Sequence, residues 1–186
     1  MRIKLLNYGL FQVGWLACVV GAAGGYPQAG VLAVAVIAAL HLTLAARASR
    51  ELAVLAACAL LGGAFDSIVL ATGWVIYPNG EWIPGAAPYW IIAMWVLFGS
   101  TLNLSMGWLR GRPWVSALLG AIGAPLSYLG GARLGAMTLV EPVAAMTLLA
   151  VGWAAMLPVL VRLASRLDGF LTDARPAYVL TGWRHG

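Results

Sequence analysis

The chain has 186 residues, of which 62% are hydrophobic and only 9% charged, against about 25% charged in an ordinary soluble domain. With a mean hydropathy of +0.91, it holds too little polar surface to cover a soluble fold of its length. A soluble globular domain, a disordered chain and a coiled coil are excluded, which leaves an integral membrane protein with little mass outside the bilayer. The formal net charge is +5, but the basic residues gather at the ends of apolar runs, which fits orientation in a membrane rather than nucleic-acid binding.

A bilayer-spanning helix needs about 20 mostly apolar residues, and six segments approach or exceed that length. The first runs from Leu5 to Gly24 and is broken by Gly24-Gly25-Tyr26-Pro27. The second covers Gly30 to Ala46 and the third Glu51 to Val75. A loop opened by Tyr77-Pro78-Asn79-Gly80 closes at Pro84 and Pro88, where a fourth segment begins and continues to Leu109. Gly111-Arg112-Pro113 is a turn signal, followed by a fifth segment from Trp114 to Leu134 and a sixth from Thr138 to Leu163. The predicted fold class is all-α: a single polytopic transmembrane bundle of six helices over residues 1–168, then a short cytoplasmic tail, 169–186. In that tail Tyr178, Leu180 and Trp183 could touch the membrane surface, although a loosely ordered tail is the simpler expectation.

Arg2 and Lys4, Arg47 and Arg50, Arg110 and Arg112, and Arg162, Arg166 and Arg175 all fall on one side of a six-span chain, and only Arg133 falls on the other. This asymmetry predicts both termini in the cytoplasm of a bacterial inner membrane. The basic start and following apolar run also resemble a signal peptide. Asn7, Gln12 and Trp15 make a poor signal core, so the segment is expected to remain as the first helix. Trp74, Trp82, Trp90, Trp108 and Trp114 lie near predicted helix ends, where an indole suits the interface.

Helices in lipid associate through small residues. Gly14, Cys18, Gly21 and Gly25 share a face of the first helix; Cys58, Ala59, Gly62 and Gly63 share one of the third; Gly120, Gly123, Ala124, Ser127 and Gly131 share one of the fifth. These faces are expected to carry the tightest contacts, so Gly123→Leu should destabilise more than Leu118→Ala. Cys18 and Cys58 sit inside apolar runs and read as packing residues, with no metal-ligand spacing.

Ionisable groups inside the bilayer cost several kcal/mol unless paired or hydrated. Asp66 is the clearest, about eight residues before the predicted end of the third helix, roughly 12 Å deep. Ser67, Tyr89, Trp90, Ser127, Tyr128, Arg133 and Glu141 are placed in the same outer half and form the candidate ligand-binding set. Two readings stand: a structural lock between Asp66 and Arg133, or a pocket in which a spare carboxylate is protonated, holds a cation or donates a proton. A second polar layer toward the cytoplasm contains Asn7, Gln12, His41, Ser100, Thr101, Asn103 and Ser105, which read mainly as interhelical hydrogen-bonding groups. No metal centre and no cofactor is expected. Phosphate-loop, dinucleotide, metalloprotease and serine-hydrolase motifs are absent, as are voltage-sensor and selectivity-filter patterns.

Asn7-Tyr8-Gly9 with Gln12 and Gly14-Trp15, Phe65-Asp66-Ser67, Ala87-Pro88-Tyr89-Trp90, Thr101-Leu102-Asn103, Gly123-Ala124-Pro125-Leu126-Ser127-Tyr128 and Gly131-Ala132-Arg133-Leu134-Gly135 together resemble an uncharacterised family of small bacterial inner-membrane proteins, domain of unknown function 2878. The likeness covers roughly residues 5–170 and implies a polytopic membrane protein without naming an activity. Members encoded beside fatty-acid-modifying enzymes point toward lipid chemistry. The leading expectation is therefore a protein that binds a lipid-like or small amphipathic molecule as an accessory to membrane lipid metabolism. Membrane lipids, and a lipid-modifying or other membrane protein, are its expected partners. Alternatives are a small transporter or a transporter's substrate-binding subunit, a structural subunit of a membrane complex, and an enzyme using Asp66 or Glu141 as acid or base.

Overall fold

The computed structural model describes residues 2–171. It contains six α-helices: α1 (Arg2–Ala23), α2 (Pro27–Leu44), α3 (Ala48–Ala71), α4 (Tyr89–Leu102), α5 (Pro113–Arg133) and α6 (Pro142–Arg166). Three of them start on a proline, where the missing N–H costs nothing and φ is already helical. Gly25 and Gly111, at φ +80° and +72°, make the preceding turns in a backbone region that favours glycine. Five helices are long and apolar enough to cross a membrane, and their lipid-facing sides expose Leu and Val. The third helix begins before Glu51 and ends at Ala71 rather than Val75, because Gly73 turns out at φ +71°.

The main departure from the sequence expectation is α4. It has 14 residues, about 21 Å at 1.5 Å per residue, too short for a hydrocarbon core of about 30 Å. Beyond Leu102 the chain turns through residues 103–106 and a 3-10 turn, Gly107–Leu109. Irregular backbone at membrane depth is tolerated where protein satisfies it, and Asn7 of α1 does so. Its Nδ2 donates to the Ser100 carbonyl (3.1 Å), while its Oδ1 accepts from Ser105 N (3.3 Å) and Oγ (2.7 Å). Helix α4 is also central: it packs on α1, α2, α3 and α6, and Trp90, Ile91, Leu97 and Leu102 are fully buried.

Small residues mark several close approaches. A Cβ on Gly30 would meet Cys18 N at 2.8 Å, so α1 and α2 touch backbone to backbone. The Trp95 indole of α4 lies directly on Gly62 of α3, and Phe65 of α3 lies on Gly152 of α6. Gly120 of α5 abuts the Trp153 backbone of α6. Gly123 is a correction: a Cβ there meets nothing within 4 Å, so it borders a void and not a tight interface.

Two short strands, β1 (Val75–Ile76) and β2 (Thr138–Leu139), pair antiparallel with Val75 opposite Leu139 and Ile76 opposite Thr138. They tie the end of α3 to the α5–α6 connection. Arg133 and Glu141 lie at this end; Arg47, Arg50, Arg110, Arg112, Arg162 and Arg166 lie at the opposite, arginine-rich end. The segment just after α6 is held there. Arg47 N donates to the Gly169 carbonyl (2.9 Å), and Gly169 N donates to Glu51 Oε1 (2.7 Å). Gly169 and Phe170 therefore pack on the bundle, Leu171 is exposed, and Tyr178, Leu180 and Trp183 lie outside the described residues.

Candidate functional site

A cavity of about 780 Å³ opens between α1 and α5, with α4 as its floor. Tyr8, Phe11, Gln12 and Trp15 line it from α1; Gly120, Gly123, Ser127 and Tyr128 line it from α5. The volume lies within the range of about 300–1,000 Å³ common for small-molecule sites. Leu126 on its rim is 61% exposed, so the cavity opens on the outer surface of the bundle. Helices α1 and α5 meet across it where the Trp15 indole donates to Ser127 Oγ (3.0 Å).

The back wall is aromatic. Trp95 of α4 stacks on Trp153 of α6 with centroids 4.5 Å apart and planes at 17°, and Phe98 packs edge-on against both rings. Behind them lies Asp66, five residues before the end of α3 and wholly buried. Its Oδ2 accepts from Trp95 Nε1 (2.6 Å), and its Oδ1 accepts from the Tyr128 hydroxyl. Each carboxylate oxygen thus has a donor. Tyr77, in the loop after β1, is buried nearby against Trp90. Burial, and secondarily the Asp66 charge, hold its phenol well above the ordinary range, so it stays protonated.

Asp66 does not pair with Arg133. The carboxylate is occupied by aromatic donors from α4 and α5, while Arg133 is exposed and makes no ion pair among the described residues. Glu141 is exposed too, at the start of α6. Of the sequence-derived ligand set, Asp66, Ser127 and Tyr128 line the cavity; Ser67, Tyr89, Trp90, Arg133 and Glu141 do not. Ser67 bridges α3 to the α3–α4 loop, donating to the Gly63 carbonyl (2.7 Å) and accepting from Ala87 N (2.9 Å). The Trp90 indole donates to the Asn79 carbonyl (3.0 Å), and Tyr89 N donates to the Gly80 carbonyl (3.1 Å). All three fasten the loop over the bundle.

The second polar layer splits in the same way. Gln12 lines the cavity and donates to the Tyr8 hydroxyl (2.9 Å). Asn7 braces the break in α4. His41 and Asn103 join a separate buried network centred on Glu51, which is 0% exposed. His41 Nε2 lies 2.9 Å from Glu51 Oε2, and Asn103 Nδ2 donates to Oε1 (2.7 Å). Arg110 links Asn103 Oδ1 (2.8 Å) to Asp168 Oδ2 (2.5 Å). This network joins α2, α3, the turn after α4 and the end of α6.

Residues 4–159 match the family described as Protein of unknown function (DUF2878). The chain belongs to that family. Neither a curated protein nor a solved structure matches it. Sequence reasoning missed Trp95, Phe98 and Trp153, the cavity's back wall, and missed Glu51, Arg110 and Asp168 in the network. A tryptophan on an apolar helix reads as packing, and Glu51 looked like a helix-end charge. A usable signal was the i, i+3 pair Trp95 and Phe98, which faces the same side of α4.

Proposed function

We propose that this family member binds a lipid-like or small amphipathic molecule within the bacterial inner membrane, with both termini cytoplasmic, as an accessory to membrane lipid metabolism. The observation that carries the reading is the lateral cavity: about 780 Å³, walled by Trp95, Phe98 and Trp153 and backed by one buried carboxylate. A void of this size in a membrane protein is kept open at the expense of packing contacts, which an apolar chain would restore. The polar residues reaching it, Gln12, Ser127 and Tyr128, would hold the head of such a molecule. Lipid extraction and mass spectrometry of protein purified in mild detergent test this. Wild type should retain a bound amphiphile, and Gly123→Leu, which projects a side chain into the void, should lose it. Wild type free of bound molecule, or equal retention by the variant, refutes the reading.

The break in α4 supports transport as a second reading, because Ser105 and Met106 of the broken segment also line the cavity and interrupted helices often flank transporter sites. Uptake by proteoliposomes would separate carrying from holding.

A further inference from the structure

The turn that follows α4 has two sides. Ser105, Met106 and Trp108 line the cavity and form its wall nearest the arginine-rich end. Asn103 and Arg110, at the two ends of the turn, are fixed in the Glu51 network: Asn103 Nδ2 donates to Glu51 Oε1 (2.7 Å), and Arg110 Nη2 donates to Asn103 Oδ1 (2.8 Å). The segment after α6 uses the same two anchors. Gly169 N donates to that same Glu51 oxygen (2.7 Å), and Asp168 Oδ2 pairs with Arg110 (2.5 Å). One carboxylate oxygen and one guanidinium therefore tie residues 168–171 to a wall of the cavity. The seat is closely built. Asp168 Oδ1 accepts from Phe170 N (2.8 Å) and Leu171 N (3.2 Å), which curls the segment, and the Phe170 ring rests edge-on against His41 with centroids 5.2 Å apart. A Cβ on Gly169 would lie 2.5 Å from the Arg47 carbonyl oxygen and 2.8 Å from Glu51 Cγ. Gly169 is not among the glycines with positive φ, so a side chain there obstructs docking without straining the backbone.

Resting on the reading of this cavity as a binding site, we propose that residues 168–171 are a strap that regulates it. Docked, the strap fixes the turn after α4 and keeps the cavity closed at the arginine-rich end. Undocked, it takes from Arg110 its carboxylate and from Glu51 Oε1 one of two donors, which frees the wall of Ser105, Met106 and Trp108 and opens the cavity there. The contact is suited to release. Hydrogen bonds and an ion pair hold it rather than a broad apolar face, and Leu171 is 57% exposed; short segments held in this way open at a lower free energy than packed helices. Docking and occupancy then favour each other, because the coupling between two sites is reciprocal.

The test uses the full chain in detergent, with Met106→Cys as a reporter in the wall and a bulky water-soluble maleimide as the probe. Gly169→Val, which blocks the seat, should speed labelling of the reporter at least tenfold. Asp168→Asn, which breaks the ion pair with Arg110 and keeps the Oδ1 acceptor, should speed it at least threefold. Cys18 and Cys58 are wholly buried in the helix contacts and serve as internal controls that should stay slow. Reporter labelling unchanged in both variants overturns the strap, and so does equal acceleration at Cys18 and Cys58, which marks a bundle loosened throughout. Should Gly169→Val fail to fold, Asp168→Asn carries the comparison. Regulation is read separately, from quenching of tryptophan fluorescence by mid-chain brominated 1-hexadecanol, whose affinity should fall at least threefold in Gly169→Val or, failing that, in Asp168→Asn. Faster labelling with undiminished affinity refutes regulation and leaves the binding site standing. A wild-type protein that the bromoalcohol does not quench removes the binding site, and the regulation with it.

Discussion

Gly120 and Gly123 lie less than one turn apart on α5, yet the structure assigns them opposite responses to the same substitution. A methyl group on Gly120 would fall within van der Waals contact of the Trp153 carbonyl oxygen, 2.9 Å from its carbonyl carbon and 3.2 Å from Leu157 Cβ. Two of those atoms are helix backbone, which cannot swing aside as a side-chain tip can, so α5 and α6 must separate. Overpacking of this kind costs about 1–3 kcal/mol, and the gain in helix propensity from Gly to Ala returns only about 0.5–1 kcal/mol. Gly120→Ala should therefore be destabilised by up to about 2 kcal/mol, on those principles. At Gly123 the methyl meets open space, and only the propensity gain remains, so Gly123→Ala should be as stable as wild type or slightly more so. Gly123→Leu should also fold, because its side chain enters the cavity. Thermal unfolding in one detergent, followed by circular dichroism and gel filtration, measures all three. A Gly120→Ala protein as stable as wild type, or a Gly123→Ala protein clearly weaker, would refute the α5–α6 geometry from which both expectations come.

Three further outcomes follow from the polar contacts and the charge distribution. Glu51→Ala should cost about 3–5 kcal/mol, the usual result of removing one partner from a buried charged network, because His41, Asn103 and Gly169 N lose their common acceptor; thermal denaturation reads it, and a near-wild-type melting point would show the network to be dispensable. Asp66→Ala should lower the melting temperature by leaving the Trp95 and Tyr128 donors unpaired, whereas Arg133→Gln should leave it unchanged and the double variant should match Asp66→Ala; any rescue by the second substitution would revive an Asp66–Arg133 pair. Reporter fusions at Asn79 and at the C-terminus should place the former outside and the latter inside the cell, and an external C-terminus would contradict six spans with cytoplasmic ends.

The number and order of the helices were legible because bilayer thickness acts on chain length, and length and apolarity are one-dimensional properties. The length of α4 was not legible for the same reason. Leu104, Met106, Trp108 and Leu109 prolong the apolar run, and the break at Asn103 is braced from Asn7, nearly a hundred residues earlier. Position along the helix could also be read, and it put Asp66 about eight residues before the end of the third helix, where the structure has five. Depth alone, however, suggested the wrong partner. Counting charges pairs Asp66 with Arg133, the only basic residue at that end, whereas a buried carboxylate can be satisfied by any well-aimed N–H or O–H. The Trp95 indole and the Tyr128 hydroxyl carry no charge that a sequence reading would match to it. Small residues hold a related ambiguity. Glycine allows close approach of another helix at Gly62 and Gly120, and at Gly123 the same missing side chain leaves a cavity open. A stripe of small residues therefore locates a helix face that matters, but the rotation and spacing of the facing helix decide whether the face closes on a neighbour or lines a site.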